Sequence, residues 1–465
     1  MMKTDFAPNR RFPGKELFVF LLSLYLLSMG KGYYSTDGEV MFKMTWAIVE
    51  QRRLGFPCEE RLPNAPPGRD GLCYSKYGPG QSLALIPFYI FGRSLKWIFP
   101  RGNLALMGKW FADRANSFFT AFTVLIVGTW SSDLFGNANI ALALSIIYGL
   151  STLAWPYAKF NFNQPLTSLL LLMGFYFLWN YRKTANARYI LLSGLSFGYL
   201  LFTRISAIVA IPWAFLIWRD VLQKYRFKLG YLVLWFSLIS LFLLLNIGYN
   251  FYAFGRFFGG YAGEKWNTPF LIGLYGLLMS SGKGLLLFVP ISNLFPWGLA
   301  KFFEQGKKLE AIICLGLLLT FLAFHAPFWT WHGGWSWGPR FLVPIMPFLV
   351  IPLGALWKYK SGKGFLLLFA FFGFLIQMLG TAVNFSDFML QVNDETKILF
   401  IPEYSPLKGH FLMLTHQLEL IDIAPVDLEA FGINNKWCEI GLSALYFLLL
   451  GWSSLKIFSF LRKGR

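Results

Sequence analysis

The chain has 465 residues, of which 56% are hydrophobic and only 14% are charged, and it contains 51 Phe. Soluble globular proteins carry about 45–50% apolar and about 25% charged residues. This composition excludes a cytosolic enzyme, a disordered protein and a small disulfide-bonded scaffold. The net charge of +19 lies mainly in short segments between apolar runs, which is typical of a membrane protein and argues against nucleic-acid binding. The sequence therefore predicts an all-α polytopic membrane protein.

A membrane-spanning helix needs about 17–25 predominantly apolar residues. The first apolar run follows a basic start and has no signal-peptidase-like site after it, so we interpret it as an uncleaved span. All the runs are predicted to be helices, because lipid offers the backbone of an open chain no other hydrogen-bond partners. About twelve spans are predicted, at residues 17–30, 115–132, 138–156, 165–181, 189–203, 205–218, 229–252, 284–300, 309–329, 341–357, 365–384 and 439–459.

Residues 81–99 are apolar but contain Pro87, Arg93 and Lys96. If this segment crossed the membrane, every later segment would change side. With residues 81–99 on the outer surface, sixteen Lys and Arg residues fall on the cytoplasmic side, in segments 182–188, 219–228, 301–308 and 358–364 and in the C-terminal tail. The positive-inside rule therefore favours a surface helix at 81–99 and places both termini in the cytoplasm.

Two long outer segments follow from this topology. The first, residues 31–114, is rich in Lys and Arg, which either dock lipid phosphate or simply keep the loop solvated. Its cysteines, Cys58 and Cys73, are interpreted equally well as a disulfide in an oxidising compartment or as two free thiols. We predict a transmembrane core in 1–384 that includes this loop. The remaining regions are an outer-face segment, 385–438, and a last span with a basic tail, 439–465.

Asp37 and Glu39 follow the first span and open an amphipathic helix that is predicted to lie on the membrane surface. The pattern Thr36-x-x-Glu39 matches a capping box, in which the acids only stabilise the start of the helix. A carboxylate at the membrane–water boundary can instead act as a general base. Further along, Lys76 projects from a rigid turn rich in Gly and Pro, where it either pairs with a phosphate or extends its amine to the interface.

The order of these segments resembles the C superfamily of membrane glycosyltransferases, specifically its protein mannosyltransferases and aminoarabinose transferases. In that family an acid follows the first span, and a surface helix and a Lys-containing turn come next. This chain differs at Gly38, which separates the two acids, and at Gln164, where relatives usually carry an acid. The resemblance covers about residues 17–360 and rests on Asp37-Gly38-Glu39, Lys76-Tyr77-Gly78-Pro79-Gly80, Trp155-Pro156-Tyr157-Ala158-Lys159, Gln164-Pro165-Leu166, Phe202-Thr203-Arg204, Ser280-Ser281-Gly282-Lys283-Gly284 and Trp335-Ser336-Trp337-Gly338-Pro339-Arg340.

The resemblance implies transfer of a sugar from a polyprenyl-phosphate carrier to a hydroxyl of a lipid, glycan or protein, with inversion. It implies that Asp37 is the general base and that Glu39 holds the base or the acceptor. The core 1–384 would then be a transmembrane glycosyltransferase core, and the segment 385–438, which lies outside the resemblance, is a candidate for acceptor recognition. No cofactor is required. The alternative, a divalent metal as in parts of the family, is not supported, because Gln164 stands where relatives usually carry a carboxylate. The cations expected to stabilise the leaving phosphate are Lys76, Arg340, Arg204 and Lys283, and the expected sugar or acceptor contacts are Tyr77, Gln164, His332 and Trp335.

Several of these residues have a second interpretation. The segment around Lys283 resembles a phosphate cradle but lacks the spacing of a Walker A motif. Arg204 is costly to bury and therefore favours a function, unless it extends to the outer interface. The Trp residues near Arg340 form an aromatic belt or stack on sugars, and His332 binds the acceptor or has no role. No His spacing indicates a metal site.

Three other functions compete with a transferase: a lipid flippase or transporter, a polysaccharide ligase or polymerase that uses diphosphate carriers, and a membrane scaffold. Transporters usually carry charged residues within their spans. The predicted spans 229–252, 284–300 and 365–384 contain none, which favours an enzyme acting at the interface. We expect a protein of the bacterial inner membrane with its active site on the periplasmic face. The sequence does not identify the sugar or the acceptor.

Overall fold

The computed structural model describes residues 12–462 except 31–34, 60–61, 63, 225–228, 424–427 and 434–435. Every regular element among these residues is a helix, and the backbone pairs outside helices are isolated bridges such as Phe56 with Cys73. The predicted all-α class is confirmed. The α-helices are α1 Gly14–Leu27, α2 Thr36–Gln51, α3 Gly80–Ser94, α4 Leu104–Asp113, α5 Ala115–Phe135, α6 Ala138–Ser151, α7 Ala154–Lys159, α8 Gln164–Thr184, α9 Arg188–Thr203, α10 Ile211–Lys224, α11 Leu229–Phe254, α12 Phe270–Met279, α13 Leu285–Phe288, α14 Phe295–Glu304, α15 Lys308–His325, α16 Met346–Val350, α17 Lys360–Ala382, α18 Phe385–Val392, α19 Glu395–Phe400, α20 Pro406–His416 and α21 Lys436–Arg462.

Seven helical stretches in the described part of the chain are long and apolar enough to cross a membrane. Long helices such as α11 and α21 also expose large apolar side chains, for example Leu244 and Phe447, as lipid-facing surfaces do. The chain is therefore an integral membrane protein, while the total of about twelve spans stays a prediction. The seven stretches are Leu104–Phe135, Ile205–Gln223, Leu229–Phe254, Lys308–His325, Arg340–Lys358, Lys360–Ala382 and Lys436–Arg462.

The predicted span 284–300 is not one continuous helix. It consists of α13, a 3₁₀ segment Pro290–Leu294 and α14. Two prolines explain the interruptions, because Pro290 and Pro296 cannot donate backbone hydrogen bonds and each begins a new helical segment. Similar 3₁₀ segments, Arg340–Ile345 and Ile351–Lys358, flank α16 within another predicted span. Apolar composition therefore identifies these regions, but proline positions determine their local geometry.

The first outer loop carries two helices, α2 and α3. Helix α3 has 15 residues, or about 22 Å at 1.5 Å per residue, which is shorter than the ~30 Å hydrocarbon core of a bilayer. An ion pair of 3.0 Å between Arg93 and Glu50 connects the ends of α3 and α2. The same loop contains a disulfide between Cys58 and Cys73, which decides between the two interpretations of these cysteines.

The outer segment that begins at residue 385 folds into α18, α19 and α20 and packs against the preceding part of the chain. The hydroxyl of Ser405 donates to the carbonyl of Ser281 at 2.7 Å, and the Gly282 amide donates to the carbonyl of Leu399 at 3.2 Å. A buried ion pair of 3.1 Å joins Lys159, at the end of α7, to Asp422. The Lys159 ammonium also donates to the carbonyl of Thr381 at 2.9 Å. This lysine therefore holds α7, α17 and the outer segment together.

Replacing Lys159 with Met is expected to lower the free energy of unfolding by about 3–5 kcal/mol, because it removes the cation from a buried carboxylate. Unfolding in mixed micelles, followed by tryptophan fluorescence, measures the change. The double variant Lys159→Met/Asp422→Leu should recover part of the loss. The control is Lys301→Met, which breaks the more exposed 2.7 Å pair with Glu304 and should cost less than about 1 kcal/mol. Equal losses in the two single variants would contradict the assignment.

Candidate active site

Asp37 is buried at the start of α2, with 8% of its surface exposed. The helix is capped by Ser35, whose hydroxyl accepts from the amide of Gly38 at 2.9 Å. The cap is therefore not the predicted Thr36-x-x-Glu39 box, since Thr36 instead accepts a hydrogen bond from Asn64. Gly38 is required here because a Cβ at this position would lie 2.1 Å from Asn161 Cγ. The glycine that separates the two acids thus allows the first turn of α2 to approach the rest of the site.

Three side chains donate to the Asp37 carboxylate. Arg340 Nη1 lies 2.8 Å from Oδ2, and Asn64 Nδ2 lies 2.6 Å from Oδ1. The Tyr77 hydroxyl also hydrogen-bonds this carboxylate; burial, followed by the negative charge of Asp37, holds the pKa of Tyr77 well above its usual range. Asp37 is therefore a charged, oriented acceptor and not merely a residue of the first helical turn.

Asp37 lines a cavity of about 580 Å³. Its polar lining also includes Lys76, Tyr77, Gln164 and Arg340. Apolar side chains line it as well, and those that belong to helices of membrane-spanning length are Ile208, Leu243, Ile247, Phe324 and Phe341. The lining thus combines charged and apolar side chains, which suits an amphipathic ligand with an anionic head.

Arg204 and Lys76 bring further positive charge to the cavity. Arg204 ends α9, where its Nη1 donates to Asn163 Oδ1 at 3.3 Å and its Nε donates to Ser206 Oγ at 3.0 Å. The Lys76 ammonium forms an ion pair of 3.2 Å with Glu264. The turn after Lys76 packs directly on the end of α9, because a Cβ at Gly78 would lie 2.1 Å from the carbonyl oxygen of Phe202. The Lys76 turn and the Arg204 motif therefore meet at one place.

Arg340 begins the 3₁₀ segment Arg340–Ile345. Its guanidinium carbon lies 4.6 Å from the centroid of the Phe162 ring, and the ring restricts its orientation. Its Nε has no hydrogen-bond partner among the described residues. Gln164, the first residue of α8, is also buried, with 2% of its surface exposed, and its Oε1 lacks a partner within the same part of the chain. Both residues line the cavity, while these two atoms are themselves buried.

Four predicted site residues do not line this cavity. Glu39 pairs with Lys109 of α4 at 2.9 Å, and His332 pairs with Glu395 of α19 at 3.2 Å. Trp335 is 45% exposed. The Lys283 ammonium donates to the carbonyls of Gly334 and Ser336. The contact of Glu39 connects α2 to α4. The contacts of His332 and Lys283 connect the Trp-rich turn before Arg340 to α19 and to the segment before α13. All four residues therefore lie around the cavity and not in its lining.

Lys283 is the most unusual of these side chains, with only 1% of its surface exposed. Burial, and to a smaller extent the positive charge of Arg340, lowers the pKa of Lys283 to about 7. Its amine lies 3.3 Å from the Ser336 hydroxyl and 4.7 Å from the centroid of the Phe385 ring. Because its donors are occupied by the turn that leads to Arg340, Lys283 supports that turn from behind the cavity.

Several site residues carry no sequence motif. Among the cavity-lining residues, Glu264 lies in an irregular outer loop and Tyr261 lies in a short 3₁₀ turn. Asn64, which contacts Asp37, lies in another irregular outer loop. Asn163, which directly precedes Gln164, was detectable as the neighbour of a predicted site residue. Within the described ranges, no cluster of three or more His, Cys, Asp or Glu side chains is placed to hold a metal ion. We therefore assign no metal ligands.

No family model and no curated protein sequence matches this chain. Solved structures do match. ArnT from Cupriavidus metallidurans bound to undecaprenyl phosphate aligns with a TM-score of 0.50 and 13% sequence identity, covering 90% of this chain and 77% of ArnT. The apo form of the same protein aligns with a TM-score of 0.48 and 14% identity, covering 90% and 76%. The chain therefore has the GT-C-like fold of ArnT, as the order of its sequence motifs predicts.

Proposed function

We propose that this protein transfers a sugar from a polyprenyl-phosphate carrier to a hydroxyl group of a lipid, glycan or protein acceptor. The observation that carries the proposal is the position of Asp37. It is a buried carboxylate held by Arg340, Asn64 and Tyr77, and it lines a cavity whose other lining residues include both cations and apolar side chains. Such a cavity fits a ligand with a phosphate head and an isoprenoid chain. The bound undecaprenyl phosphate of ArnT, which has a similar fold, supports this choice of carrier.

In the proposed reaction, Asp37 accepts the proton of the acceptor hydroxyl. The oxygen of that hydroxyl attacks the anomeric carbon of the sugar at the same time. The bond between that carbon and the phosphate oxygen breaks, and the polyprenyl phosphate leaves with both electrons of the bond. Attack opposite the leaving group inverts the anomeric centre. General-base catalysis by a positioned carboxylate contributes about 10²–10⁴-fold to such a step. At the end of the step the acceptor proton is on Asp37.

The cations of the cavity stabilise the negative charge that develops on the leaving phosphate. Fixed positive groups in a site that excludes water stabilise such charge strongly. Arg340 is best placed, since it lines the cavity and its Nη1 contacts Asp37. Arg204 and Lys76 lie in the same cavity, and Lys76 exchanges its contact with Glu264 for the phosphate. Gln164 and Tyr77 are proposed to contact the hydroxyls of the sugar or acceptor.

We place the reaction on the periplasmic face of a bacterial inner membrane, with both termini in the cytoplasm. The positive-inside distribution supports this orientation. The disulfide between Cys58 and Cys73 supports it independently, because such bonds persist mainly in oxidising compartments. Asp37 and this disulfide belong to the same outer loop. The outer segment 385–438 is proposed to help select the acceptor, since Glu395 of this segment contacts His332 in the turn before Arg340.

The proposal is tested with the purified protein in lipid nanodiscs and a panel of labelled polyprenyl-phosphate hexoses and pentoses. Acceptors are supplied as a crude membrane extract. We expect release of free polyprenyl phosphate that depends on the acceptor, with the label recovered on a lipid, glycan or protein. Binding of carriers without release would contradict the proposal and favour a flippase. Transfer only from diphosphate-linked oligosaccharides would contradict it in favour of a ligase.

A further inference from the structure

We infer that Asn64 is a positioning residue for Asp37 and that the Cys58–Cys73 disulfide holds it in place, so that transfer depends on an oxidised outer loop. The inference rests on the proposed function for its kinetic consequences but not for its geometry. The loop closed by the disulfide, residues 58–73, carries none of the motifs on which the predicted site was based. It nevertheless supplies one of the three donors to the Asp37 carboxylate.

The carboxamide of Asn64 contacts two consecutive residues of α2. Its Nδ2 lies 2.6 Å from Asp37 Oδ1 and 3.0 Å from Thr36 Oγ1. An amide nitrogen has two N–H bonds, so both contacts can be made at the same time. Arg340 occupies the other carboxylate oxygen of Asp37. Donors on both oxygens define the plane of the carboxylate, and Asn64 is the one that comes from the disulfide loop.

The loop is fixed to α2 on both sides of Asn64. Leu62 and Ala65 are buried in an apolar cluster with Val40 and Met44 of α2. At the base of the loop, Phe56 and Cys73 exchange two backbone hydrogen bonds of 3.0 and 2.8 Å. The disulfide closes the loop beside this pair. Breaking the bond removes the covalent closure and leaves the loop held by this backbone pair, by apolar packing and by the ion pair of Glu59 with Lys43. The fraction of molecules with Asn64 on Asp37 should therefore fall.

The other donors to Asp37 come from outside the disulfide loop. Arg340 contacts Oδ2 from the 3₁₀ segment that it begins, and Tyr77 follows the loop in the sequence. Changes within the loop leave both of them in place. Loss of the Asn64 donor should therefore free Oδ1 while Arg340 keeps Oδ2.

The first test compares the full-length protein in nanodiscs with its Asn64→Ala variant. We expect kcat to fall about tenfold, as for loss of one hydrogen bond to a charged group, with the KM for the donor little changed. Asn64→Asp keeps the shape of the side chain but offers no donor to Oδ1, so it should lose at least as much of kcat, which a merely structural role would not require. Arg69→Lys, at an exposed position of the same loop, is the control and should keep the kcat of the wild type. A kcat near that of the wild type in Asn64→Ala or in Asn64→Asp would overturn the inference.

The second test addresses the disulfide. Reduction of the folded wild type, or the Cys58→Ser/Cys73→Ser variant, should lower kcat with little change in the KM for the donor, as Asn64→Ala does. Reduction of Asn64→Ala should have little further effect, because both changes act on the same contact. Cys438→Ser, which removes an exposed free cysteine, is the control. Full activity of the reduced wild type would overturn the dependence on oxidation.

A third readout does not require transfer. The infrared carboxylate band of Asp37, identified by its loss in Asp37→Asn, reports the hydrogen bonds to its oxygens. The inference predicts that this band lies at a different frequency in Asn64→Ala than in the wild type, and equal frequencies would overturn it even if the wild type transfers no sugar. A wild type without transfer but with this shift would instead contradict the proposed function alone.

Discussion

Replacing Asp37 with Asn is expected to slow transfer by about 10²–10⁴-fold, the usual contribution of a general base. The amide keeps the size of the side chain but cannot accept the acceptor proton. Arg340 and Asn64 form separate contacts with the two oxygens. The amide of the variant keeps one acceptor oxygen, so one of these two donors loses its acceptor while the other contact holds the site in place. Initial rates of polyprenyl phosphate release, measured across donor concentrations, give kcat and KM separately.

The control for this prediction is Asp70→Asn. Asp70 is an exposed carboxylate in the same outer loop, and its conversion to an amide should leave transfer within about twofold of the wild type, as for most surface changes. Donor binding by Asp37→Asn should also be retained, since no phosphate contact is lost. Unchanged kcat in Asp37→Asn would show that this residue only begins a helix, and the assignment of the base would be wrong.

Replacing Arg340 with Ala is expected to reduce kcat/KM by about 10²–10³-fold, the usual cost of removing one preorganised donor to a developing charge. The loss should appear in both parameters. KM rises because a phosphate contact is lost, and kcat falls because Asp37 Oδ2 loses its 2.8 Å partner. Arg340→Lys should recover only part of the activity, because an ammonium lacks the planar fork that holds two acceptors at once.

The same kinetic assay with a panel of carrier lengths checks this prediction. Arg69→Lys, at an exposed position in the outer loop, provides the control for an arginine-to-lysine change. If Arg340→Lys were as active as the wild type, Arg340 would act as a simple point charge. If Arg340→Ala changed only KM, the contact with Asp37 would have no role in positioning the base.

The sequence predicted the fold because the features that determine it are local. Apolar runs require helices in a lipid environment, and the two outer-loop helices follow from amphipathic spacing and from the charges at Arg93 and Lys96. Pro290 and Pro296 are visible in the sequence. Whether each proline interrupts a helix, however, depends on which backbone contacts the neighbouring helices supply. Local pattern therefore identified the apolar segments, while tertiary packing determined where each helix begins and ends.

The site was only partly predictable. Asp37, Lys76, Tyr77, Gln164, Arg204 and Arg340 carry motifs and lie together in one cavity. Glu39 and Lys283 carry motifs as well, yet their charges are taken up by Lys109 and by backbone carbonyls. Motif order cannot distinguish a side chain that faces a cavity from one that supports it from behind. That distinction is decided by long-range partners.

Asn64 and Glu264 are site residues that no sequence pattern indicates. Each lies in a loop with no recognisable pattern, and each acts through a residue far away in the sequence: Asn64 through Asp37 and Glu264 through Lys76. A lone Asn or Glu in a loop is most simply explained as a turn or solvated residue. The approach of the loop to the site depends on the disulfide and on buried contacts such as that of Leu62, which no local signal predicts.

The most direct test of the account is a cryo-electron microscopy structure of the protein in nanodiscs with bound polyprenyl phosphate. The account predicts that the phosphate lies in the cavity beside Asp37, in hydrogen-bond contact with Arg340 and Lys76, with Glu264 released from Lys76. The isoprenoid chain should follow the apolar wall formed by Leu243 and Ile247. A phosphate bound outside this cavity would contradict the assignment of the donor site and, with it, the proposed role of Asp37.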